Sequence, residues 1–203
     1  MHPNPLFRCD AAALAARLLD GAGFGMVFAE TPAGPRVAHA ALLPAGAQRI
    51  QFHLARRNDL APHLANSRAL IVVNGPHGYV SPRWYADRAT VPTWDYVALE
   101  LEGIVRALDE AELETHLTTL GLQTEAAIAQ GEAWSPGEVD GGSWARMRAA
   151  LAGFEMIVDA TRPTVKLSQN KPAAVRETIA VAHGLTGNAE LASWLRDVSG
   201  APA

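Results

Sequence analysis

Two adjacent arginines stand where a predicted strand gives way to a predicted short helix. The segment is His53-Leu-Ala-Arg56-Arg57-Asn58, and Asn58 is of a residue type that caps helices. A helix N-terminus offers unpaired N–H groups, and guanidinium groups pair with phosphate oxygens in bidentate fashion. The segment therefore predicts a phosphate site at Arg56 and Arg57. A solvent-exposed arginine pair at a turn would give the same sequence.

The two lysines of the chain lie close together in a second polar segment. Lys166-Leu-Ser-Gln169-Asn170-Lys171 follows a predicted strand, and all other basic side chains except histidine are arginines. Amide and ammonium groups after a strand can satisfy the carbonyl and N–H edge of a heterocycle. The same residues also fit a turn in which Asn170 caps a helix that has Pro172 at its first position.

The histidines give little support to a metal site or a hydrolase. His39, His53 and His77 lie near predicted strands, and no two histidines share a helix face at metal-binding spacing. The sequence lacks H-E-x-x-H, a cysteine cluster, G-x-S-x-G, a P-loop and G-x-G-x-x-G. A structural, hydrogen-bonding role is the ordinary explanation for a single histidine on a strand.

Aromatic residues are concentrated between residues 74 and 96. This stretch holds all three tyrosines and two of the five tryptophans, although the chain is only 6% aromatic. Prolines and glycines interrupt it repeatedly, which predicts a strand end, a short extended piece at Tyr79–Ser81 and a long loop. Flat rings such as Trp84 and Tyr85 on a stiff loop suit a planar ligand or a partner surface. An aromatic cluster that only fixes the loop is the alternative.

Composition limits the class of protein. With 203 residues and a formal net charge of −4, the chain predicts a single globular domain and argues against extensive nucleic-acid binding, while leaving a local basic patch open. One cysteine, Cys9, excludes an internal disulfide, which fits a reducing cytoplasm. No stretch resembles a signal peptide or approaches the ~20 apolar residues of a membrane-spanning helix.

The patterning predicts about six strands. Residues 24–30, 36–43 and 48–55 are three strands at short spacing, which is typical of an antiparallel meander. Residues 68–74 form a strand buried on both faces, and two longer alternating stretches follow at 96–108 and 153–161. In the first of these, Gly103 predicts a bulge. Strands at such spacing with peripheral helices predict a mainly β, α+β fold, a small closed barrel with added helices.

The helices are predicted from caps and leucine spacing. Asp10 caps a first helix that ends at Gly21 or Gly23, Asn58 caps a short second helix, and Asp109 caps an amphipathic third helix. Residues 126–130 continue the third helix as a short further one, and residues 144–151 form another with Met147 and Leu151 buried. Two helices broken between Gly184 and Gly187 fill residues 172–197.

Taken together, the chain resembles the PaiB family, the FMN-binding negative transcriptional regulators. The resemblance covers roughly residues 24–185, and the N-terminal segment departs mildly from the family pattern. It is carried in the right order by four segments: HLARRN at 53–58, NGPHGYVSPRWY at 74–85, VPTWDY at 91–96 and KLSQNK at 166–171.

The resemblance implies a split β-barrel of the kind found in pyridoxamine-phosphate oxidases and flavin reductases. It also implies a homodimer with FMN at its interface and a phosphate held by Arg56 and Arg57 after the third strand. We expect Lys166 and Gln169 to face the flavin ring. The full set of expected cofactor-binding residues is His39, His53, Arg56, Arg57, Asn58, Trp84, Tyr85, Lys166, Gln169 and Asn170.

The function expected from this resemblance is a flavin-binding regulator with no catalytic residue assigned. A flavin-dependent oxidoreductase and a degenerate barrel that no longer binds flavin are the alternatives. Direct DNA binding has weak support, because the last predicted helix carries Glu190 and Asp197 against Arg196 alone. We expect one split-barrel domain over residues 1–203, with residues 172–200 as its helical C-terminal appendage.

Overall fold

The computed structural model of the protein describes residues 3–20, 23–86 and 88–198. Six strands are found in these ranges: β1 (Gly23–Ala29), β2 (Arg36–Pro44), β3 (Arg49–Ala55), β4 (Arg68–Val80), β5 (Thr93–Ala107) and β6 (Leu151–Lys166). Six α-helices accompany them: α1 (Ala11–Leu18), α2 (Ala61–Leu64), α3 (Glu110–Ala126), α4 (Gly141–Ala149), α5 (Ala173–Leu185) and α6 (Ala189–Asp197). The predicted mainly β fold with peripheral helices is confirmed.

The strands close into a barrel in the order β1-β2-β3-β6-β5-β4. β1 pairs antiparallel with β2, and β2 with β3, which confirms the predicted meander. β3 then pairs antiparallel with β6 from Arg49 opposite Ile157 to Ala55 opposite Leu151. Pairing of Phe28 with Leu70, in β1 and β4, closes the ring.

Alternation along the strands builds the barrel core. Ile50, Phe52 and Leu54 of β3 are buried, and the intervening residues are more exposed. Phe52 stacks against Phe154 of β6 with ring centroids 5.5 Å apart. Burying a phenylalanine side chain contributes about 1.5–3 kcal/mol, so this pair is a large part of the local stability.

Three strands are longer than predicted. β4 continues through Gly75 and Pro76 to Val80, β5 begins at Thr93, and β6 runs from Leu151 past Pro163 to Lys166. Proline removes a ladder donor, but its fixed φ is compatible with extended backbone, so a strand can pass through it where that donor is not needed. The predicted ends at residues 74 and 161 were therefore wrong.

Side-chain caps confirm two of the predicted helix starts. Asp10 Oδ1 accepts a hydrogen bond from Ala13 N at 2.8 Å. Asp109 and Glu112 form a reciprocal capping box at the start of α3, with bonds of 2.8 and 2.9 Å. The predicted end of α1 at Gly21 lies outside the described residues, and Gly23 is already the first residue of β1.

Four helix predictions need correction. α2 begins at Ala61 and Asn58 does not cap it, because Asn58 Oδ1 accepts from Leu60 N within the turn before the helix. α3 ends at Ala126 and has no continuation to residue 130. α4 starts at Gly141 on an Asp140 cap and leaves Met147 half exposed, and Leu151 already belongs to β6.

The fourth correction concerns the start of α5. Pro172, and not Asn170, is the cap residue of α5, so Ala173 is the first helical position. Asn170 is exposed and its side chain does not cap this helix. Proline before the first turn still suits a helix start, because no intrahelical donor is required there.

The chain divides into two compact units. One comprises residues 1–14, 74–99 and 162–203, and the other residues 15–73 and 100–161; we call them the α5–α6 unit and the barrel unit. In the α5–α6 unit, both helices bury an apolar face that includes Ile179, Leu191 and Leu195. The expectation of one domain with an appendage at 172–200 stays a prediction.

None of the described helices has the length and apolar character needed to cross a bilayer.

Candidate functional site

The barrel unit carries the predicted phosphate segment on a tight turn after β3. We call residues 55–60 the arginine turn. Asn58 N donates to Ala55 O at 2.8 Å, and Leu60 N donates to Asn58 Oδ1 at 2.9 Å. The Asn58 side chain therefore holds the turn together. The helix that follows has only four residues, so the expected helix N-terminal anion site is not present.

The two arginines of this turn have different surroundings. Arg56 is anchored to backbone carbonyls, since Nε donates to Ala149 O at 3.1 Å and a terminal guanidinium nitrogen to Leu151 O at 2.8 Å. Arg57 is exposed, and no hydrogen bond or ion pair joins it to any residue within the described ranges. A guanidinium without protein partners suits an anionic ligand, whereas Arg56 ties the turn to the end of α4.

His53, another predicted cofactor residue, is paired with a second histidine, and its contact with a flavin stays a prediction. Its Nδ1 lies 3.0 Å from Nε2 of His116, which is buried on α3. Burial, followed by the nearby His53, lowers the pKa of His116 to about 4, and burial also lowers the pKa of His53. Both rings are therefore neutral at pH 7 and share one hydrogen bond between sheet and helix.

The leucine spacing of the third helix predicts that Leu113, Leu117 and Leu120 face inward, and it does not point to His116. Leu117 is only partly buried, and His116 takes the buried position. The sequence spacing could have revealed His116. It lies three residues after Leu113 and four before Leu120, and residues three or four apart share a helix face. His39 is exposed and stacks on Phe24, with ring centroids 6.3 Å apart.

The α5–α6 unit contains a cavity of about 320 Å³, within the size range of small-molecule sites. We call it the Asp95 cavity. It brings together three of the predicted cofactor residues, Tyr85, Lys166 and Asn170. Its remaining lining residues are Asn4, Phe7, Thr90, Val91, Thr93, Asp95, Ser168 and Lys171.

A buried carboxylate is the feature of this cavity that the sequence reasoning missed. Asp95 is fully buried, and Ser168 Oγ lies 2.8 and 3.1 Å from its two carboxylate oxygens. Burial raises the pKa of Asp95 to about 6, against the opposing effects of the Ser168 hydrogen bond and the Lys166 charge. Ser168 has a φ of 56°, a left-handed conformation that costs free energy outside glycine and is frequent at functional sites.

The two lysines of the cavity are held differently. Lys166 Nζ donates to Thr93 Oγ1 at 2.7 Å and to the backbone oxygen of Trp94. Burial lowers the pKa of Lys166, while the charge of Asp95 acts in the opposite direction. Lys171 Nζ lies 5.1 Å above the ring of Tyr85, which is cation–π geometry.

Two predicted cofactor residues of the α5–α6 unit, Gln169 and Trp84, are not among the residues that line this cavity. Gln169 is buried, and its amide is used within its own loop: Leu167 N donates to Oε1 at 2.7 Å, and Nε2 donates to Val165 O. Trp84 packs edge-on against His183 of α5 with centroids 5.0 Å apart. The structure gives both residues local packing or loop-holding roles, and their contact with a flavin stays a prediction.

A family model described as "Putative FMN-binding domain" matches residues 1–160, which include the arginine turn and Asp95. The same part of the chain contains five of the strands and the first part of the sixth.

Among curated proteins, the chain is similar to "Protease synthase and sporulation protein PAI 2" of Bacillus subtilis. The two are 31% identical over 105 residues, which is 50% of this chain and 48% of the relative. An uncharacterized protein of Emericella nidulans is 26% identical over 118 residues, 51% of this chain and 47% of its own. The chain thus spans about half the length of the curated relatives it matches.

Solved structures share the fold at low sequence identity. The FAD and heme binding protein from Mycobacterium smegmatis has a TM-score of 0.58 at 15% identity, covering 78% of this chain and 73% of its own. The flavocytochrome Anf3 from Azotobacter vinelandii has a TM-score of 0.55 at 18% identity, covering 79% and 69%. These likenesses confirm the predicted split-barrel fold.

Proposed function

The chain belongs to the family of FMN-binding domains, and we propose that it is an FMN-binding protein that acts as a PaiB-like negative regulator of transcription. Bound FMN would supply a ring system that takes up and releases electrons. The observation that carries the binding proposal is Arg57, an exposed guanidinium with no hydrogen bond or ion pair to a described residue, in the segment where the family resemblance expects a phosphate. The donor set fits, because arginine forks match phosphate oxygens.

We expect Arg57→Ala to weaken FMN binding by about tenfold to a hundredfold and to leave riboflavin binding nearly unchanged. A charge-assisted hydrogen bond contributes roughly 1.5–3 kcal/mol, and each 1.4 kcal/mol is about tenfold in affinity. Riboflavin lacks the phosphate, so it does not depend on this contact. Fluorescence titration of both ligands against the purified variants measures the two affinities.

Two further arginines serve as controls in the same titration. Arg49→Ala removes an exposed arginine from the first position of β3 and should change neither affinity. Arg56→Ala breaks the bonds to Ala149 and Leu151, so it should lower the melting temperature and affect both ligands alike. Equal losses for FMN and riboflavin in Arg57→Ala would mean that Arg57 supports the fold and not the phosphate.

The regulator role is supported by the likeness to PAI 2 over half the chain. The contacts of α6, the last helix, argue against its binding directly to DNA bases. Arg196 of α6 is engaged by Glu177 at 2.9 Å, and the apolar residues of α6 are buried against α5. A recognition helix would need free basic side chains toward the phosphates. These helices therefore serve packing in our proposal, and DNA would be contacted through other surfaces or through partners.

An oxidoreductase is the second candidate, since solved structures of this fold include proteins described as a flavocytochrome and as a FAD and heme binding protein. For a regulator, we expect the FMN-loaded protein to oxidise NADH and NADPH no faster than free FMN at the same concentration. The absorbance of the reduced nicotinamide measures the rate. A rate that rises in proportion to protein concentration and saturates with nicotinamide would favour the oxidoreductase.

We also propose that the protein is a homodimer. Several large apolar side chains are exposed on the barrel unit, among them Phe24, Ile104 and Ile157, and Phe24 is 66% exposed. In the α5–α6 unit, Tyr79 and Trp94 form an exposed edge-to-face pair with centroids 6.2 Å apart. A partner subunit is the usual cover for such surfaces.

A further inference from the structure

The Asp95 cavity combines one acceptor group with two donor groups. Asp95 is ionised at pH 7, and its hydrogen-bond donors within the described residues come from Ser168 alone. Lys166 uses two of its three ammonium protons on Thr93 and Trp94, which leaves one. Lys171 Nζ lies over the Tyr85 ring and makes no hydrogen bond to a described residue.

This arrangement sets what a ligand must present. A buried carboxylate with spare acceptor capacity requires a ligand N–H or O–H, and the two ammonium groups require oxygen acceptors. A ligand that is only an anion would meet the lysines but would be repelled by Asp95. The lining also includes the Tyr85 ring and the apolar side chain of Val91, which suit a flat heterocycle better than a flexible chain.

We propose that the Asp95 cavity binds the imide edge of a flat heterocycle, an N–H group flanked by two carbonyl oxygens. Asp95 accepts from the N–H, and Lys166 and Lys171 donate to the flanking oxygens. The pyrimidine ring of a flavin and free pyrimidines such as uracil both carry this edge. Where the ring is that of a flavin, the inference rests on the proposed function.

The left-handed backbone of Ser168 is a further reason to infer that the Asp95 cavity binds a ligand. Ser168 carries a strained backbone and holds a carboxylate in a buried place where its ionised form is disfavoured. Neither feature helps folding by itself, and strained or destabilised groups are retained where they serve a ligand. Asp95 is then a specificity-determining residue that reads a ligand N–H.

Methylation of the ligand tests the proposal on the unmodified protein. Lumiflavin, which has no phosphate, is compared with N3-methyl-lumiflavin, and uracil with N3-methyluracil, by titration calorimetry at pH 7.5. We expect methylation to weaken binding at least tenfold, because it removes the N–H and places a methyl group against a buried carboxylate. Discrimination with lumiflavin alone identifies the flavin as the source, and discrimination with uracil alone identifies a free pyrimidine.

A matched pair of variants ties the effect to Asp95. In Asp95→Asn, the Ser168 hydroxyl holds the amide oxygen and the amide N–H₂ meets the ligand N–H, so we expect discrimination to fall below about threefold. Asp20→Asn changes an exposed aspartate and should keep the full discrimination. A thermal melt confirms that each variant is folded.

The outcomes separate this inference from the proposed function. Equal affinities for the methylated and parent rings, or full discrimination retained in Asp95→Asn, would overturn the imide assignment, as would absence of binding by both parent rings. FMN binding that still depends on Arg57 would leave the proposed function standing in each of these cases. If FMN binding does not depend on Arg57 but the protein still discriminates against the methylated rings, the proposed phosphate contact would be overturned and the imide assignment would stand.

Discussion

Replacing Gly103 with alanine is expected to lower the free energy of unfolding by at least about 3 kcal/mol. A Cβ atom at Gly103 in β5 would lie 2.0 Å from the backbone oxygen of Ile157 and 3.0 Å from Cα of Val158, both in β6. Real Cβ atoms do not approach so closely, and the obstructing atoms belong to the backbone. The two strands would have to separate, and the barrel would lose part of its closure.

The thermal midpoint measures this effect. For a protein of this size, 3 kcal/mol corresponds to a loss of about 6–12 °C. Gly184→Ala is the matched control, because its Cβ would meet no atom within 4 Å and its position lies inside α5. Alanine there should be neutral or stabilising by about 0.5–1 kcal/mol. Similar midpoints for the two variants would show that β5 and β6 can move apart without loss.

Gly103 also shows where sequence reasoning stops. The sequence predicted a bulge at this glycine, and β5 runs through it as one strand from Thr93 to Ala107. The pattern could reveal that a side chain is absent, but not which neighbour approaches. The nearest atoms come from β6, more than fifty residues along the chain, and local propensity carries no information about such an approach.

The barrel itself was predictable because its determinants are local. Alternation indicates the inward face of β3, and the short turns between the first three strands predict their antiparallel pairing, which the structure confirms. Caps such as Asp109 fixed where a helix begins. The ends of β4 and β6 were placed too early, at residues 74 and 161 just before Pro76 and Pro163, because a proline is tolerated wherever the sheet does not need its N–H.

The phosphate segment was recognised, but the roles of its two arginines were not. The carbonyl groups of Ala149 and Leu151 bind the guanidinium of Arg56 and leave that of Arg57 available to a ligand. Pairing of β3 with β6 brings this part of the chain next to Arg56. Tertiary contacts of this kind cannot be read from two adjacent identical residues. The proposed phosphate contact therefore falls on Arg57 alone.

Asp95 lies inside a segment that was used for the family resemblance, yet it was not predicted as a site residue. A single aspartate between Trp94 and Tyr96 resembles an exposed strand residue in the sequence. Its carboxylate is held by Ser168, which lies more than seventy residues along the chain and has a left-handed backbone conformation. A left-handed serine has no reliable sequence signal, since glycine and asparagine are the residues expected there.

Asp95→Asn is expected to stabilise the protein at pH 7.5 by about 2–3 kcal/mol while it weakens the proposed ligand contact. Burial raises the pKa of Asp95 from 3.8 to about 6 in the folded protein, even with Ser168 and Lys166 favouring the ionised form. Each unit of pKa difference is 1.36 kcal/mol between the protonation states. Asparagine keeps the size and the Ser168 hydrogen bond but carries no charge to bury.

The sign of this effect sets its pH dependence. Because the folded pKa is raised, Asp95 binds a proton more tightly in the folded protein than in the unfolded chain, so the contribution of Asp95 to the stability of the wild type falls as pH rises from about 4 to 6 and is then level. The advantage of Asp95→Asn should therefore be near zero at pH 4, grow through pH 5–6 and reach its full value above pH 6.5. Tyr85 stays neutral throughout this window, since burial and the nearby Asp95 raise its pKa.

Urea unfolding of the wild type, Asp95→Asn and Asp20→Asn at half-unit steps from pH 4 to 8 gives the difference in unfolding free energy directly. The exposed Asp20 should show no such rise. An Asp95→Asn protein that is less stable than the wild type at pH 7.5 would mean that the carboxylate holds its own loop. In that case Asp95 would be a structural residue, and its place in the cavity would need no ligand to explain it.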